Sequence, residues 1–365
     1  MRFYFFLLTL LFCTTTLAAQ DLPYSEEEVA IRVAVQKYID GRNLGKPELL
    51  RETFHPNADI RIVKEDTLYA WPIGDYIDGV TPGKQQDCMG RIIKVDYAGA
   101  AAMAHVEIQY PGFQFADYLN LLKLDGQWIV AVKSAAGRQT NPKRVLFVVT
   151  SHEKLGDTGR KTGAHLGEIS HAYKPLHDAG YSVDFASPRG GSPFLYGADL
   201  NDPLNLWFVQ NASAWYALQH AATPAAIDPE GYAAIYFVGG SGTMWDFPDN
   251  AELQSFVRTI YENDGLVAGV CHGPAGLVNV TLSDGSYLVD GKRLTSFTDS
   301  EELGGRVEQV VPFLLETVLR ERGAIFTGKE NYAENMVVDG RLVTGQNPAS
   351  AGLVGRELVR LLGEE

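Results

Sequence analysis

Two different rhythms of apolar residues divide the chain. Between Leu22 and Lys133 helical spacing comes first and strand alternation follows. Ser25-Glu-Glu-Glu28 has the form of a capping box, and Ala30, Val33, Ala34 and Tyr38 then recur at helical intervals toward a stop near Gly41. Pro47 to Phe54 predicts a second, short helix. Ile60-Arg-Ile-Val63, Arg91-Ile-Ile-Lys-Val-Asp-Tyr97 and Ala102-Met-Ala-His-Val-Glu-Ile108 alternate as strands with one covered face do. Leu121 to Val130 predicts a hairpin, because Asp125-Gly126 supplies the positive φ angles of a tight turn. Such a half is α+β, with helices packed on a curved antiparallel sheet.

Beyond Lys143 the rhythm changes. Val145-Leu-Phe-Val-Val-Thr150 is continuously apolar, as a strand buried on both faces must be. Tyr181 to Ala186, Ala233 to Val238 and Leu266 to Val270 repeat the pattern. Helical segments, Ala164 to Ala179 and Ala251 to Asn263, fall between them. Parallel strands need such crossovers, so residues 144–365 predict a doubly wound α/β sandwich. Ser134 to Lys143 is polar, carries Gly and Pro and lacks periodicity, which places a linker between domains at 22–135 and 144–365.

A chain of 365 residues exceeds what one core usually organises, in keeping with two domains. The formal charge of -14 with no basic stripe argues against nucleic acid and anionic membrane as partners. Met1-Arg2, the apolar run Phe3 to Cys13 and the small-residue exit before Gln20 predict a secretory signal peptide over residues 1–19. The expected product is soluble, in the periplasm or outside the cell. Removing that segment leaves Cys88 and Cys271, too far apart in sequence to form a disulfide framework.

The chemistry concentrates at Gly265-Leu-Val-Ala-Gly-Val-Cys271-His272-Gly273-Pro274. This reads as a strand, a sharp turn carrying the thiol, and a helix start whose dipole favours thiolate. The competing reading is a cysteine buried as a small hydrophobe. Gly239-Gly240-Ser241-Gly242 follows another strand and offers converging backbone N–H groups for an oxyanion. Glu168, early in a helix, is either an acid/base beside the sulfur or an exposed helical glutamate; periodicity alone favours exposure. His272 with Asp299, Glu301 or Glu302 could form an oriented imidazole. None of the 8 histidines follows His272, so a triad with a downstream histidine is excluded. His165, His171 and His177 recur every six residues, a spacing that turns them to different sides of a helix and away from a common metal. Trp245 and Phe247 predict pocket-wall packing rather than ligand stacking, and His105 and Glu107 predict solvated strand positions.

Two resemblances rest on these motifs. Tyr38-Ile-Asp-Gly41, Phe54-His-Pro-Asn-Ala58 and Asp117 to Trp128 resemble the lumazine-binding-like branch of the nuclear transport factor 2-like superfamily. That resemblance implies a cone-shaped half-barrel, often dimerised through its sheet. Thr162 to Tyr173, Gly239 to Asn250, Val270-Cys271-His272-Gly273-Pro274-Ala275, Ser296 to Glu302, Val311 to Glu316 and Thr344 to Ser350 are similar to the ThiJ/PfpI superfamily. Within it they are similar to the heat-shock-protein-31-like, glyoxalase III group, with its flavodoxin-like, class I amidotransferase-like sheet.

The second resemblance implies Cys271 as nucleophile, Glu168 as its acid/base partner, His272 as second catalytic group and Glu302 as its orienting carboxylate. Residues 239–242 would bind the oxyanion. The implied activity converts a small carbonyl substrate, methylglyoxal or a related 2-oxoaldehyde, to a 2-hydroxy acid with no cofactor and no metal; a homodimer is the expected assembly. The alternatives on the same fold are a stress-response chaperone or redox sensor, and a cysteine-dependent amide or peptide hydrolase. One departure is plain: the group usually carries histidine where this chain has Ser241, which removes a side-chain contact to substrate but no backbone donor.

Overall fold

A computed structural model describes residues 24–64, 66–305 and 309–364, so the expected signal peptide lies outside the described residues. The first half begins with helices α1 (Glu26–Asn43) and α2 (Pro47–Thr53), then strands β1 (Phe54–Lys64) and β2 (Thr67–Pro72), and helix α3 (Ile73–Asp78). Strands β3 (Met89–Ala98), β4 (Ala101–Tyr110), β5 (Phe113–Leu124) and β6 (Gln127–Gln139) follow. They form one sheet in the order β2-β1-β6-β5-β4-β3, antiparallel except for the β1–β6 pair. The Ser25 side chain accepts from the Glu28 N–H and starts α1, satisfying a donor that the first helical turn leaves free. Asp125 and Gly126 take φ of 48° and 81° at the β5–β6 turn. Ile31, Val35, Tyr38, Val106, Leu119 and Val130 fill the core between helices and sheet.

Within that core Asp117 and Lys133 pair at 3.1 Å, and Tyr38 donates its hydroxyl to Asp117 at 2.5 Å. A buried charge is tolerable only when so matched.

The linker expected at Ser134–Lys143 is strand as far as Gln139. Small residues read as loop there because they fit beneath aromatic neighbours on β5: a Cβ on Gly137 would lie 2.5 Å from the Phe113 ring. Strand β2 and helix α3 have no counterpart in the sequence reading, since β2 is an exposed edge with no alternation.

The second half opens with β7 (Arg144–Val148), the two-residue strand β8 (Ala164–His165), helix α4 (Leu166–Asp178) and β9 (Ser182–Ala186). After the short β10 (Leu195–Tyr196) come α5 (Pro203–Gln210), α6 (Ala212–Gln219), β11 (Ala234–Phe237), α7 (Thr243–Asp246), α8 (Ala251–Glu262) and β12 (Leu266–Val270). The remainder comprises β13 (Arg293–Leu294), α9 (Asp299–Gly305), α10 (Leu315–Glu321), β14 (Ile325–Phe326), β15 (Met336–Asp339), β16 (Leu342–Gly345) and α11 (Ala351–Gly363). The main sheet runs β15-β16-β12-β11-β7-β9, parallel apart from β15. Its strands are buried on both faces, Val145, Phe147, Tyr236 and Ala268 packing toward α4 and α11, and Leu146, Ile235 and Val267 toward α8 and α10. This is the expected doubly wound arrangement. The order in which strands are added reverses between β7 and β11, β9 lying to one side and β11, β12 and β16 to the other, and loops at the carboxyl ends there form the crevice in which such sheets place their chemistry.

Polar contacts tie the halves together. Asp184 on β9 accepts from Arg91 on β3 at 2.7 Å and from Arg144 at 2.6 Å, and Ser213 donates to Glu107 at 2.5 Å.

Candidate active site

Strand β12 ends at Val270, and Cys271 takes φ of 59°, a left-handed conformation that a non-glycine residue adopts only when its surroundings hold it there. The Cys271 N–H donates to Gly345 O at 3.0 Å and its carbonyl accepts from Phe297 N–H at 2.9 Å, fixing the turn from both sides. Gly273 lets the chain leave: a Cβ there would sit 2.1 Å from Phe237 O. Because the turn is irregular, two sequence neighbours point the same way, and His272 Nδ1 lies 3.3 Å from Cys271 Sγ.

The other ring nitrogen, Nε2, is hydrogen-bonded to Glu302 Oε1, and Phe297 stacks on the ring at 4.4 Å between centroids. Holding the Nε2 proton toward Glu302 leaves the Nδ1 lone pair facing sulfur, the tautomer a general base needs. The competing acids are engaged elsewhere. Glu301 accepts from Thr298 N at 2.9 Å, Tyr332 N at 2.7 Å and Asn347 Nδ2 at 2.9 Å, while Asp299 accepts from the Thr317 hydroxyl at 2.5 Å.

Glu168 occupies the first turn of α4, but it is fully buried instead of exposed as its helical position alone suggests. The turn carrying it packs against the glycine loop after β11: Glu168 Oε2 accepts from Gly239 N–H at 2.8 Å, and Tyr236 donates to its backbone carbonyl at 3.0 Å. A Cβ on Gly239 would lie 2.5 Å from Glu168 Oε2 and 2.8 Å from Cys271 Cβ, so that glycine is what brings carboxyl and thiol together. Burial pushes the Glu168 carboxyl up to about 8, against the opposing pull of hydrogen bonds from Cys271 and Gly239.

The thiol is not the dipole-stabilised thiolate the sequence suggests. Burial and the adjacent Glu168 carboxylate push Cys271 up, and the hydrogen bond from the His272 backbone N–H acts the other way. Two features explain the reversal. The following element is a five-residue 3₁₀ turn, Gly273–Leu277, with little dipole to offer, and Cys271 is only 2% exposed and not at an open rim. The sulfur is nevertheless not packed in hydrocarbon, because an imidazole, a carboxyl and a backbone N–H all face it.

The loop 239–242 is divided in its use. Gly239 N–H holds Glu168 and is not free for an oxyanion, and the Ser241 N–H is hydrogen-bonded to the Tyr196 hydroxyl, which leaves the backbone N–H of Gly240. Gly240 takes φ of 115°, and a Cβ on it would strike Gly163 O at 2.1 Å. Gly242 is equally confined, its Cβ position lying 2.6 Å from His152 O. Ser241 meets the hydroxyl of Tyr196, a residue absent from the sequence reading. Tyr196 reaches the site because β10 pairs with β8 beside α4, and its ring meets His165 edge-on at 5.1 Å. No local pattern marks it, apart from a glycine that follows it at φ of 61°.

Among the described residues no group of acidic, histidine and cysteine side chains is arranged to hold a metal. His171 pairs with Asp202 at 2.8 Å and His177 with Asp178 at 3.4 Å. Phe247 is fully buried core and Trp245 stacks on His152 at 4.8 Å. A cavity of about 560 Å³ lies away from Cys271, between the halves, lined by His105, Glu107, Arg138 and Tyr173. His105 is therefore buried, contrary to the solvated reading, because the second half covers that face of the sheet; it stacks on Tyr118 at 4.7 Å.

The fold, the elbow and the ordered motifs agree with what family comparison finds: residues 161–361 match the DJ-1/PfpI family. The chain belongs to the DJ-1/PfpI family. Residues 26–134 match a second model, described as putative lumazine-binding. The DJ-1/PfpI half is 33% identical over 226 residues to the glutathione-independent glyoxalase HSP31 of Saccharomyces cerevisiae, covering 58% of this chain and 94% of that protein. It is 31% identical over 228 residues to glyoxalase 3 of Candida albicans, covering 59% and 97%. The crystal structure of Candida albicans glyoxalase III superposes with a TM-score of 0.55 at 27% identity, over 60% of this chain and 96% of that one. Rapid Encystment Protein 24 kDa of Francisella tularensis superposes at 0.58 with 33% identity, over 60% and 99%.

Proposed function

We propose that this DJ-1/PfpI protein is a cofactor-independent glyoxalase III-like enzyme that converts methylglyoxal or a related 2-oxoaldehyde to a 2-hydroxy acid. The observation that carries the reading is the buried Glu168 carboxyl, raised to about 8 and set against the Cys271 thiol. A carboxyl that gains and loses its proton near neutral pH beside a nucleophile is what an internal proton transfer between two carbons requires. The names of the yeast relatives point the same way.

The steps follow from the geometry. Sγ attacks the aldehyde carbon as its proton passes to His272 Nδ1, which returns it to the new alkoxide and completes a hemithioacetal. The backbone amide of Gly240 stabilises that oxygen while it is charged. Glu168 removes the hydrogen on the former aldehyde carbon, an enediol forms, and the proton returns to the neighbouring carbon to leave a thioester. His272, oriented by Glu302, then directs water onto the thioester and the 2-hydroxy acid departs. A site with a 2% exposed sulfur suits a substrate this small.

Proton NMR of methylglyoxal with the purified protein tests the reading. Lactate forms with the unaltered protein and is lost in Cys271→Ala; no lactate from the unaltered protein contradicts it.

Two wider features belong to the same proposal. Export follows from residues 1–19, and the amino terminus of protein recovered outside the cytoplasm checks it, a retained Met1 being the contrary result. Homodimerisation finds an apolar surface at Val63, Leu68 and Tyr69, exposed on the β1–β2 edge; a monomer by light scattering contradicts it.

A further inference from the structure

Glu168 presents a problem of access. The side chain is wholly buried, the sulfur beside it is almost so, and yet a carboxyl that rests protonated near neutral pH must first release that proton to water before it can take one from substrate. Oε2 is occupied by the Gly239 N–H, whereas Oε1 is buried with no hydrogen-bond partner. One other buried atom near it is in the same condition: His165 Nδ1, 4.0 Å from Glu168 Oε1. A buried polar atom without a partner is costly, and two of them facing each other call for an explanation.

We propose that His165 relays protons between Glu168 and an open pocket on the far side of the ring, so that the carboxyl exchanges with water while the Cys271 chamber stays closed. That pocket, about 470 Å³, is lined by His165, His171, Asp199, Asp202 and Asn205. The His165 side chain is 20% exposed and the Glu168 side chain 0%, so the imidazole spans from buried acid to solvent.

Three walls aim the ring. Tyr196 meets it edge-on at 5.1 Å, a Cβ on Gly197 would lie 2.3 Å from Nε2, and a Cβ on Gly167 would lie 3.2 Å from Cε1. The groups facing it are the Glu168 carboxyl on one side and His171 with its Asp202 partner across the pocket. Burial and the His171 charge hold His165 down to about 4, so near neutral pH it is an uncharged imidazole with one nitrogen free to accept. Because Oε2 already accepts from Gly239, the acidic hydrogen of Glu168 belongs on Oε1, toward Nδ1. A side-chain movement of about 1 Å brings the pair within hydrogen-bonding distance.

The transfer balances. The Oε1–H bond breaks as Nδ1–H forms, Nε2–H is released to water, and the reverse sequence returns a solvent proton to the carboxylate. Nothing is oxidised or reduced. His165 touches neither substrate nor sulfur, so it positions and supplies protons rather than acting as a catalytic residue. The first of the three evenly spaced histidines thus gains a role that metal binding denied it.

Infrared spectroscopy of the full chain tests the relay without turnover. At pH 6 the difference between the unaltered protein and Glu168→Gln isolates the protonated carboxyl band, whose shift after transfer to D2O reads the exchange rate. His165→Phe and the milder His165→Gln each slow that exchange by roughly tenfold or more; exchange at the unaltered rate in both overturns the proposal. A second measurement, which rests on the glyoxalase reading, turns over methylglyoxal in D2O. Deuterium at C2 of lactate is abundant with the unaltered protein and falls in both variants while lactate still forms. Undiminished deuterium in the variants also overturns the relay. If the unaltered protein makes no lactate, the glyoxalase reading fails and the infrared rates alone decide.

Discussion

Cys271 Sγ and His272 Nδ1 stand 3.3 Å apart although the two residues are adjacent in sequence. On a regular strand or helix their side chains would diverge; the left-handed turn at Cys271 rotates them together. The imidazole's far side is bound to Glu302, so strand end, base and carboxylate form one connected unit.

Glu302 acts through that imidazole. Glu302→Gln retains the size and burial of the side chain but can present an N–H to His272 and reverse the tautomer. Turnover of methylglyoxal should fall by roughly 10²- to 10⁴-fold with little change in melting temperature. Steady-state kinetics beside thermal unfolding check this, and a variant with unaltered kcat would mean that Glu302 only fills space.

Glu168 also couples stability to pH. Between the ordinary carboxylate value and about 8, the unfolded chain has released this proton and the folded one keeps it. Stability therefore declines with rising pH across that window, by up to about 1.4 kcal/mol per unit. Glu168→Gln removes this contribution, so denaturant titrations should find the variant gaining on the parent from pH 5 to pH 8. In the same window kcat/KM of the parent should rise toward pH 8 as the carboxylate base forms. A pH-independent stability difference would contradict the raised value.

Gly273 is required by space. A methyl group there would meet Phe237 O at 2.1 Å, so Gly273→Ala must push β11 and the elbow apart. The expected loss is about 1–3 kcal/mol in urea unfolding, together with lost activity. Gly363, with nothing near its Cβ position and no positive φ, is the matched control for crowding.

In the first half, Lys133→Met leaves Asp117 charged and buried without its partner. The expected destabilisation is about 3–5 kcal/mol, read as an earlier unfolding transition assigned to that half. Cys271 chemistry should be untouched below that transition.

Much of this architecture is legible from residue order. β12 occupies Leu266–Val270 as its apolar run predicts, and Asp125-Gly126 turns where its φ angles demand. The elbow could be read because a thiol between glycines after a buried strand has few other conformations. What could not be read depends on partners distant in sequence. Glu168 looks exposed on its own helix, and its burial comes from Gly239, 71 residues later. Tyr196 arrives through a two-residue strand pair that no local periodicity signals. The thiol's protonation is not legible because sequence reveals the strand-to-helix turn but neither the shortness of the helix nor the depth of the sulfur. Ser134–Gln139 reads as linker because its partners on β5, and not its own pattern, make it a strand.

The central claim is a division of labour in which Cys271 captures the aldehyde and Glu168 moves the hydrogen. Intact-protein mass spectrometry with lactate NMR, applied to Glu168→Gln supplied with methylglyoxal, separates the two steps. The account predicts a reversible adduct of one methylglyoxal on Cys271, absent in Glu168→Gln combined with Cys271→Ala, and no lactate. Lactate at the parental rate from Glu168→Gln would contradict it.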